Sequence, residues 1–380
     1  MPKHRAAGSS RRSLRLEVAR SVIGRLDKRD CPLSLRIIAC QSNVTEGCTE
    51  MKTRVLGRTG LRVSELGLGG LFISSVGGLP QEGSVRAIRR ALELGVNYVD
   101  TAPTYANSEQ VLGIALEGIS QPYIISTKLG GRPEPFDPKD KAALRQSVET
   151  SLRLLRRDNI DILMIHEPDR PGQYDWWSDY DSFHGPVVEV LHELKQAGVI
   201  RFTGLGGTTA YELPRIMATG FYDVVLTAFN YSLLWREASM AVFPEAKKQN
   251  MGLIIGSPLQ QGALARRYDE EVEGAAAWLS PPRRAQYRAL YALLDEIGLP
   301  IAEVALRFVL SNPDVSTTLM GARSVDEVEQ NVAAVEKSPL PAEVIKRLNE
   351  IAAMVPFRPF EEPFGLPFGR EYHGPGRAAR

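Results

Sequence analysis

Asp100, Tyr105, Lys128 and His166 give this chain a carboxylate, a phenol, an ammonium and an imidazole, each at or just past the end of an apolar run. The runs are Val-Asn-Tyr-Val-Asp100, Tyr-Ile-Ile-Ser-Thr-Lys128 and Ile-Asp-Ile-Leu-Met-Ile-His166, and all three read as strands. The four groups together suit proton transfer at a substrate oxygen. A free phenol titrates at about 10, too high for exchange at neutral pH. A neighbouring ammonium is expected to lower that value, and a carboxylate beside the ammonium to hold it in place and charged. Tyr105 is therefore expected to move the proton, with Lys128 and Asp100 tuning it and His166 orienting the same oxygen. Each residue alone has a plainer reading: Asp100 as a loop cap, Tyr105 as a packed aromatic, Lys128 as a solvated charge, His166 as a core histidine. Their joint position at the ends of three successive strands favours the chemical one.

Such residues converge only if the strand ends do. From Leu66 onward the chain repeats a short apolar strand, a polar loop and an amphipathic helix. Strands are expected near 66–69, 97–100, 123–127, 160–165, 200–204, 223–228, 252–256 and 316–320. Helices are expected over 84–94, with Ser84 as cap and Gly95 as stop, over 138–156, with Asp137 as cap and Pro138 first, and over 186–197. Eight strands alternating with helices predict parallel pairing and a closed (β/α)8 TIM barrel, whose strand C-termini share one face. Leu-Gly-Leu-Gly-Gly at 66–70 lacks the spacing of a dinucleotide-binding turn, so an open nucleotide-binding sheet is disfavoured. Two long loops, 167–185 and 257–284, and a Phe/Pro-rich tail over 355–380 follow strand ends or close the chain. Trp176 and Trp177 in the first loop are expected either to shape a substrate pocket or to pack as a lid.

The composition allows this and little else. The 380 residues are 43% apolar and 24% charged, an ordinary globular balance. No apolar stretch is long enough to cross a bilayer, so no membrane partner is expected. Residues 1–50 carry ten basic and five acidic residues, which leaves 36 basic against 40 acidic over 51–380 and argues against a nucleic-acid partner. The cysteines, Cys31, Cys40 and Cys48, lie within the same first fifty residues. A reducing, cytoplasmic setting fits them, and their spacing suits neither a disulfide framework nor a metal site. Residues 1–50 are read as a disordered or non-native extension before a domain that starts at Met51. An organelle transit peptide or a functional basic arm are the other readings. The barrel is expected over 51–354.

These motifs resemble the aldo-keto reductase superfamily. Gly-Val-Asn-Tyr-Val-Asp100-Thr-Ala-Pro-Thr-Tyr105 is similar to the family's Asp and Tyr segment, and Asn107-Ser-Glu-Gln-Val-Leu-Gly113 continues it. Ile-Ile-Ser-Thr-Lys128 resembles its lysine strand, and Ser-Leu-Arg-Leu-Leu-Arg-Arg-Asp-Asn-Ile-Asp-Ile-Leu-Met-Ile-His166 its histidine strand. The resemblance covers about 51–354. It implies a complete Asp-Tyr-Lys-His tetrad, a nicotinamide cofactor (usually NADP, with NAD possible) and metal-free interconversion of a small carbonyl substrate and its alcohol. Gly321-Ala-Arg323-Ser-Val-Asp-Glu327-Val-Glu-Gln330-Asn331 resembles the family's adenosine-phosphate site. An Arg beside a helix start suits an anionic phosphate, although Ser324 to Glu327 also reads as a capping box. Ser257-Pro-Leu259 matches the segment that wraps the pyrophosphate.

The chain departs from the family around the nicotinamide. The usual Ser-Asn after strand five is replaced by Gly204-Leu-Gly206-Gly207-Thr-Thr209, the usual Gln by Ala228, and a stacking aromatic by Gly256. Backbone amides at 206–209 and the Asn230 side chain are expected to supply the missing donors. The departure also resembles the branch acting on sugars, lactols and polyols. Two other readings remain: a redox-sensing module that holds NADPH with little turnover, and a metal-dependent barrel using His166, Glu167 and Asp169. Against the latter, adjacent strand residues face opposite ways.

Overall fold

The structure, a computed structural model, describes residues 51–274, 276–359, 362 and 366–369. The expectations for residues 1–50 and for most of the tail lie outside the described residues. The described chain begins with a hairpin, β1 Thr53–Val55 against β2 Arg62–Ser64. Eight parallel strands follow: β3 Leu66–Gly69, β4 Tyr98–Asp100, β5 Ile124–Leu129, β6 Ile160–His166, β7 Ile200–Gly207, β8 Val224–Ala228, β9 Gly252–Gly256 and β10 Thr317–Met320. They close in the order β10-β3-β4-β5-β6-β7-β8-β9, the predicted (β/α)8 barrel. Between and after them run α1 Gln81–Glu93, α2 Ser108–Ala115, α3 Lys141–Leu155, α4 Pro186–Gln196, α5 Glu212–Met217, α6 Ala238–Lys248, α7 Asp269–Glu273, α8 Pro281–Ile297, α9 Ile301–Leu310, α10 Val325–Glu336 and α11 Ala342–Ala353. Among the described residues, no helix is long and apolar enough to cross a membrane.

Strand alternation sorts the core into two shells. Tyr98, Ile124, Ile162, Met164, Val224, Leu226, Ile254 and Leu319 fill the barrel interior, closed from below by Leu56 and Val63 of the hairpin. Val99, Ile125, Leu163 and Ile165 face outward onto the helices. Counting in twos from the interior residues reaches Asp100 on β4, Lys128 on β5, His166 on β6 and Gly206 on β7. The register lays Asp100 beside Ser126, Lys128 beside Met164 and His166 beside Gly206.

Three expected boundaries shift by three residues, each for a local reason. Helix α1 begins at Gln81 after Pro80, so Ser84 lies buried inside it and not at its cap. Helix α3 is capped by Asp140, whose side chain accepts from Ala142 N, while Asp137 closes a turn on Lys139 N. Strand β7 runs on to Gly207, three residues past its expected end. Gly-Leu-Gly-Gly has weak strand propensity, but pairing with β6 and β8 on both sides overrides it.

The described part of the tail packs on the barrel's flank. Glu362 accepts hydrogen bonds from Trp235 Nε1 and Arg283 Nε, both at 2.8 Å. Phe368 stacks on Tyr268 at 4.6 Å and meets Tyr287 edge-on at 5.0 Å. Arg283 is almost fully buried and contacts Glu362 through an equally buried carboxylate. Removing one partner of such a pair strands the other charge. Glu362→Ala should therefore cost about 3–5 kcal/mol in denaturant unfolding, against little for a change at exposed Glu343.

Candidate active site

A cleft of about 530 Å³ opens at the C-terminal ends of the strands, lined by Asp100, Tyr105, Lys128 and His166 at one end and by Arg323, Glu327, Gln330 and Asn331 at the other. Lys128 Nζ donates to Asp100 Oδ2 at 2.6 Å and to Thr101 O at 2.8 Å. The pair is nearly fully buried, with side chains 1% and 3% exposed. Ser126 Oγ donates to the other Asp100 oxygen at 2.6 Å and accepts from Tyr98 OH at 3.0 Å. Every polar atom brought in with the ion pair thus has a partner, which burial at this depth demands. A Cβ at Gly206 would sit 3.3 Å from Lys128 Cε, so the glycine leaves the lysine its space.

Tyr105 presents its ring to the ammonium, with Nζ 5.0 Å from the centroid, and meets His166 edge-on at 5.8 Å. Burial raises the phenol's pKa more than the Lys128 charge lowers it, so the net direction is upward. This corrects the expectation of a lowered phenol: desolvation of the would-be phenolate outweighs one ammonium already neutralised by Asp100. Burial pulls the Lys128 ammonium down, but Asp100 more than restores it, and Lys128 remains charged. His166 is pushed down to about 3 by burial and by the Lys128 charge, so its imidazole is neutral at physiological pH. Its Nδ1 lies 3.4 Å from Thr104 Oγ1, leaving the other ring nitrogen as the group for a ligand.

The Asn107–Gly113 segment builds the wall behind Tyr105. Ser108 Oγ bonds Thr101 Oγ1 at 2.7 Å, and Glu109 accepts from Thr127 Oγ1 and from Arg132. A Cβ at Gly113 would strike Leu154 O at 2.1 Å, so α2 can pack on α3 only with glycine there.

At the far end, Ser324 caps α10 by accepting from Glu327 N at 3.1 Å, and Glu327 Oε2 accepts from Arg323 N at 2.7 Å. The Ser324 half of the capping box forms, while Glu327 reaches one residue further back than the box requires and already has a structural partner. The Arg323 guanidinium is exposed, makes no ion pair among the described residues, and rests over the Phe72 ring at 5.2 Å. Gly321 has to be small, since a Cβ would meet Phe72 Cδ2 at 2.7 Å. Gly206, Gly207, Ser257 and Leu259 line the same cleft, and Ser257 turns there with φ 52°.

Asn230, Trp176 and Trp177 do not line it. Asn230 is buried, and its amide donates to Thr208 O at 2.8 Å. The amides of Thr208 and Thr209 are bound in turn by Asp169 Oδ2, at 2.9 and 2.5 Å. The supposed replacement donors are therefore spent inside the protein: Asp169 and Asn230 hold the 207–209 wall in shape. Trp176 and Trp177 are buried in the outer core, where their indole nitrogens donate to His166 O at 3.0 Å and Pro168 O at 3.1 Å. They hold the strand end that carries His166 and do not form a substrate pocket. The aromatic walls come from Phe72 and Phe229, neither signalled by local sequence.

The sequence offers Glu167 only as a metal ligand, and its adjacency to His166 argues against that role. Its φ of 51° breaks the strand alternation and turns its side chain into the same cleft. Among the described residues, no group of three His, Cys, Asp or Glu is arranged to hold a metal.

A family model described as the aldo/keto reductase family matches residues 65–353. An L-galactose dehydrogenase of Arabidopsis thaliana is 33% identical over 297 residues, 76% of this chain and 89% of that one. A putative voltage-gated potassium channel subunit beta of Schizosaccharomyces pombe is 28% identical, over 80% of this chain and 94% of its own. Among solved structures, the holo form of an aldo-keto reductase from Bacillus halodurans has a TM-score of 0.64 at 31% identity, covering 80% of this chain and 96% of that one.

Burial lifts the Glu167 carboxyl to about 6, against the lowering by its hydrogen bond from Thr208. A raised acid stabilises the fold when protonated and loses that contribution as pH rises from the unfolded value through the folded one. Unfolding of Glu167→Gln compared with the parent should show the parent losing about 2 kcal/mol between pH 4.5 and pH 7 relative to the variant. Parallel profiles would mean that the carboxyl is not held in this environment.

Proposed function

With the chain belonging to the aldo/keto reductase family, we propose that this oxidoreductase interconverts a carbonyl and an alcohol using a nicotinamide cofactor, NADP in preference to NAD. The observation that carries the reading is the juxtaposition of Tyr105, neutral His166 and the buried Asp100–Lys128 pair at one end of a cleft whose other end is the start of α10 with Arg323 beside it. The cleft suits a dinucleotide by its own chemistry. Its length joins the four residues to α10, its floor at Gly206 and Gly207 has no side chains, and no carboxylate among the described residues engages the Arg323 guanidinium. Arg323 and the first turn of α10 would hold the phosphate of the adenosine end. Ser257 and Leu259 would flank the pyrophosphate, and Gln330 and Asn331 the adenosine.

Bound there, the nicotinamide supplies or accepts a hydride. The chain's own residues handle the proton. Tyr105, held protonated by burial, is prepared to donate to the oxygen of a carbonyl as it gains charge. Lys128 sits behind the ring and stabilises the phenolate left behind, and Asp100 keeps that ammonium charged and aimed. His166, neutral, donates a hydrogen bond to the same oxygen and fixes its position. In the reverse direction Tyr105 must first lose its proton, so oxidation should require higher pH than reduction. A reducing compartment such as the cytoplasm suits a barrel whose residues 51–380 lack cysteine.

Tyr105→Phe should lower turnover on an aldehyde, ketone and sugar panel by at least about 10²-fold, with NADPH binding, read by fluorescence, retained. Undiminished turnover would remove Tyr105 from the proton's path. Tight NADPH binding with no turnover in the parent would favour a sensing module, a reading supported by the channel-subunit relative. Arg323→Ala should raise the KM for NADPH about tenfold or more and leave that for NADH nearly unchanged. Equal effects on both would exclude a 2′-phosphate contact.

A further inference from the structure

We propose that Glu167 reads a hydroxyl group next to the reacting carbonyl and so selects polyhydroxylated substrates over their deoxy counterparts; this rests on the oxidoreductase reading above. In a regular strand, residue 167 would point away from the cleft that His166 faces. The left-handed backbone at Glu167, φ 51°, reverses that and sets the carboxylate on the wall beside His166. Such a conformation is costly for any residue but glycine, and it persists where the surrounding structure enforces it. Here Glu167 N is tied to Gly206 O at 2.8 Å, and the Trp176 indole holds the carbonyl of His166.

Among the described residues, one oxygen of the carboxylate has a hydrogen-bond donor. Oε2 accepts from Thr208 Oγ1 at 2.7 Å, whereas Oε1 forms no hydrogen bond with any described residue. The side chain is 14% exposed, and that exposure is to the cleft. That oxygen opens to the cleft, where it can accept from a ligand's hydroxyl in place of water. Lys128 does not donate to it, being committed to Asp100 and Thr101. Arg170 lies 3.8 Å from Oε2, too far for a hydrogen bond but close enough to offset the charge. The neighbouring wall groups are neutral: Thr104 and Gln173. Asp169 opposes that offset, and burial together with this like charge keeps the carboxyl readily protonated, so it suits a neutral hydroxyl partner. Glu167 lines the same cleft as Tyr105 and His166.

The test compares glyceraldehyde with propanal, which lacks both hydroxyls, using wild type and Glu167→Gln. The variant keeps the side chain's size and an acceptor for Thr208 while removing the charge. Wild type should prefer glyceraldehyde by about 10²-fold in kcat/KM, and the preference should shrink to about tenfold or less in the variant. Glu167→Asp, which keeps the charge but withdraws it, should fall between them and guards against a variant that fails to fold. The same ratio in wild type and Glu167→Gln, whatever the absolute rates, would overturn the proposal. So would a wild type indifferent to the hydroxyls. A wild type that reduces neither aldehyde with either nicotinamide would remove the oxidoreductase reading itself, and the proposal with it.

Discussion

The ion pair between Lys128 and Asp100 is the constraint around which the site is arranged. Two charges at this depth cost several kcal/mol each to desolvate. They are held by a 2.6 Å contact, by the Thr101 carbonyl on the ammonium, and by a Tyr98–Ser126 hydroxyl chain on the carboxylate. All of these partners come from β4, β5 and the turn just after β4, so the pair depends on one register: Asp100 beside Ser126. The glycine at 206 also leaves room for the lysine stem, which a Cβ there would crowd at 3.3 Å. With the pair in place, the Lys128 charge adds to burial in holding His166 neutral and partly offsets the burial of Tyr105.

Around this rigid floor, the C-terminal rim is strained. Ala106, Glu167, Phe229, Ser257, Gln260 and Gln261 all have positive φ, an arrangement typical of sites where structure is fixed for a ligand and not for itself. Their conformations are held from outside. Trp176 and Trp177 bind the carbonyls around Glu167, Gln260 donates to Phe229 O at 2.9 Å, and Asp169 collects the amides of Thr208 and Thr209. The aromatic loop after β6 thus acts on the site without touching a ligand there, through the backbone of the strand that carries His166.

Much of the fold was legible because its signal is local and repeated. Eight apolar runs, separated by helical periodicity and glycine stops, leave few arrangements that bury every strand on both faces. The parity of Asp100, Lys128 and His166 within their runs could be read too, since side chains on a strand alternate regardless of what surrounds them. Misread positions share a different character. Gly206 and Gly207 look like loop by propensity, and only neighbours on both sides make them strand. Trp176 and Trp177 look like pocket residues because they lie in a long loop, yet large aromatics whose indoles find backbone partners are best placed in the core.

From the sequence alone came the barrel, the four residues that meet at its C-terminal face and the helix start beside Arg323, because each is signalled by local and repeated patterns of the chain. Tertiary structure alone decided the rest. The direction of the Tyr105 shift depends on how much water the fold excludes against how much charge Asp100 leaves on Lys128. The duty of Asn230 depends on Thr208 lying across from it. Whether Glu167 faces the cleft depends on one backbone torsion at a strand end. Each is a balance between groups far apart in sequence, and no local pattern encodes it.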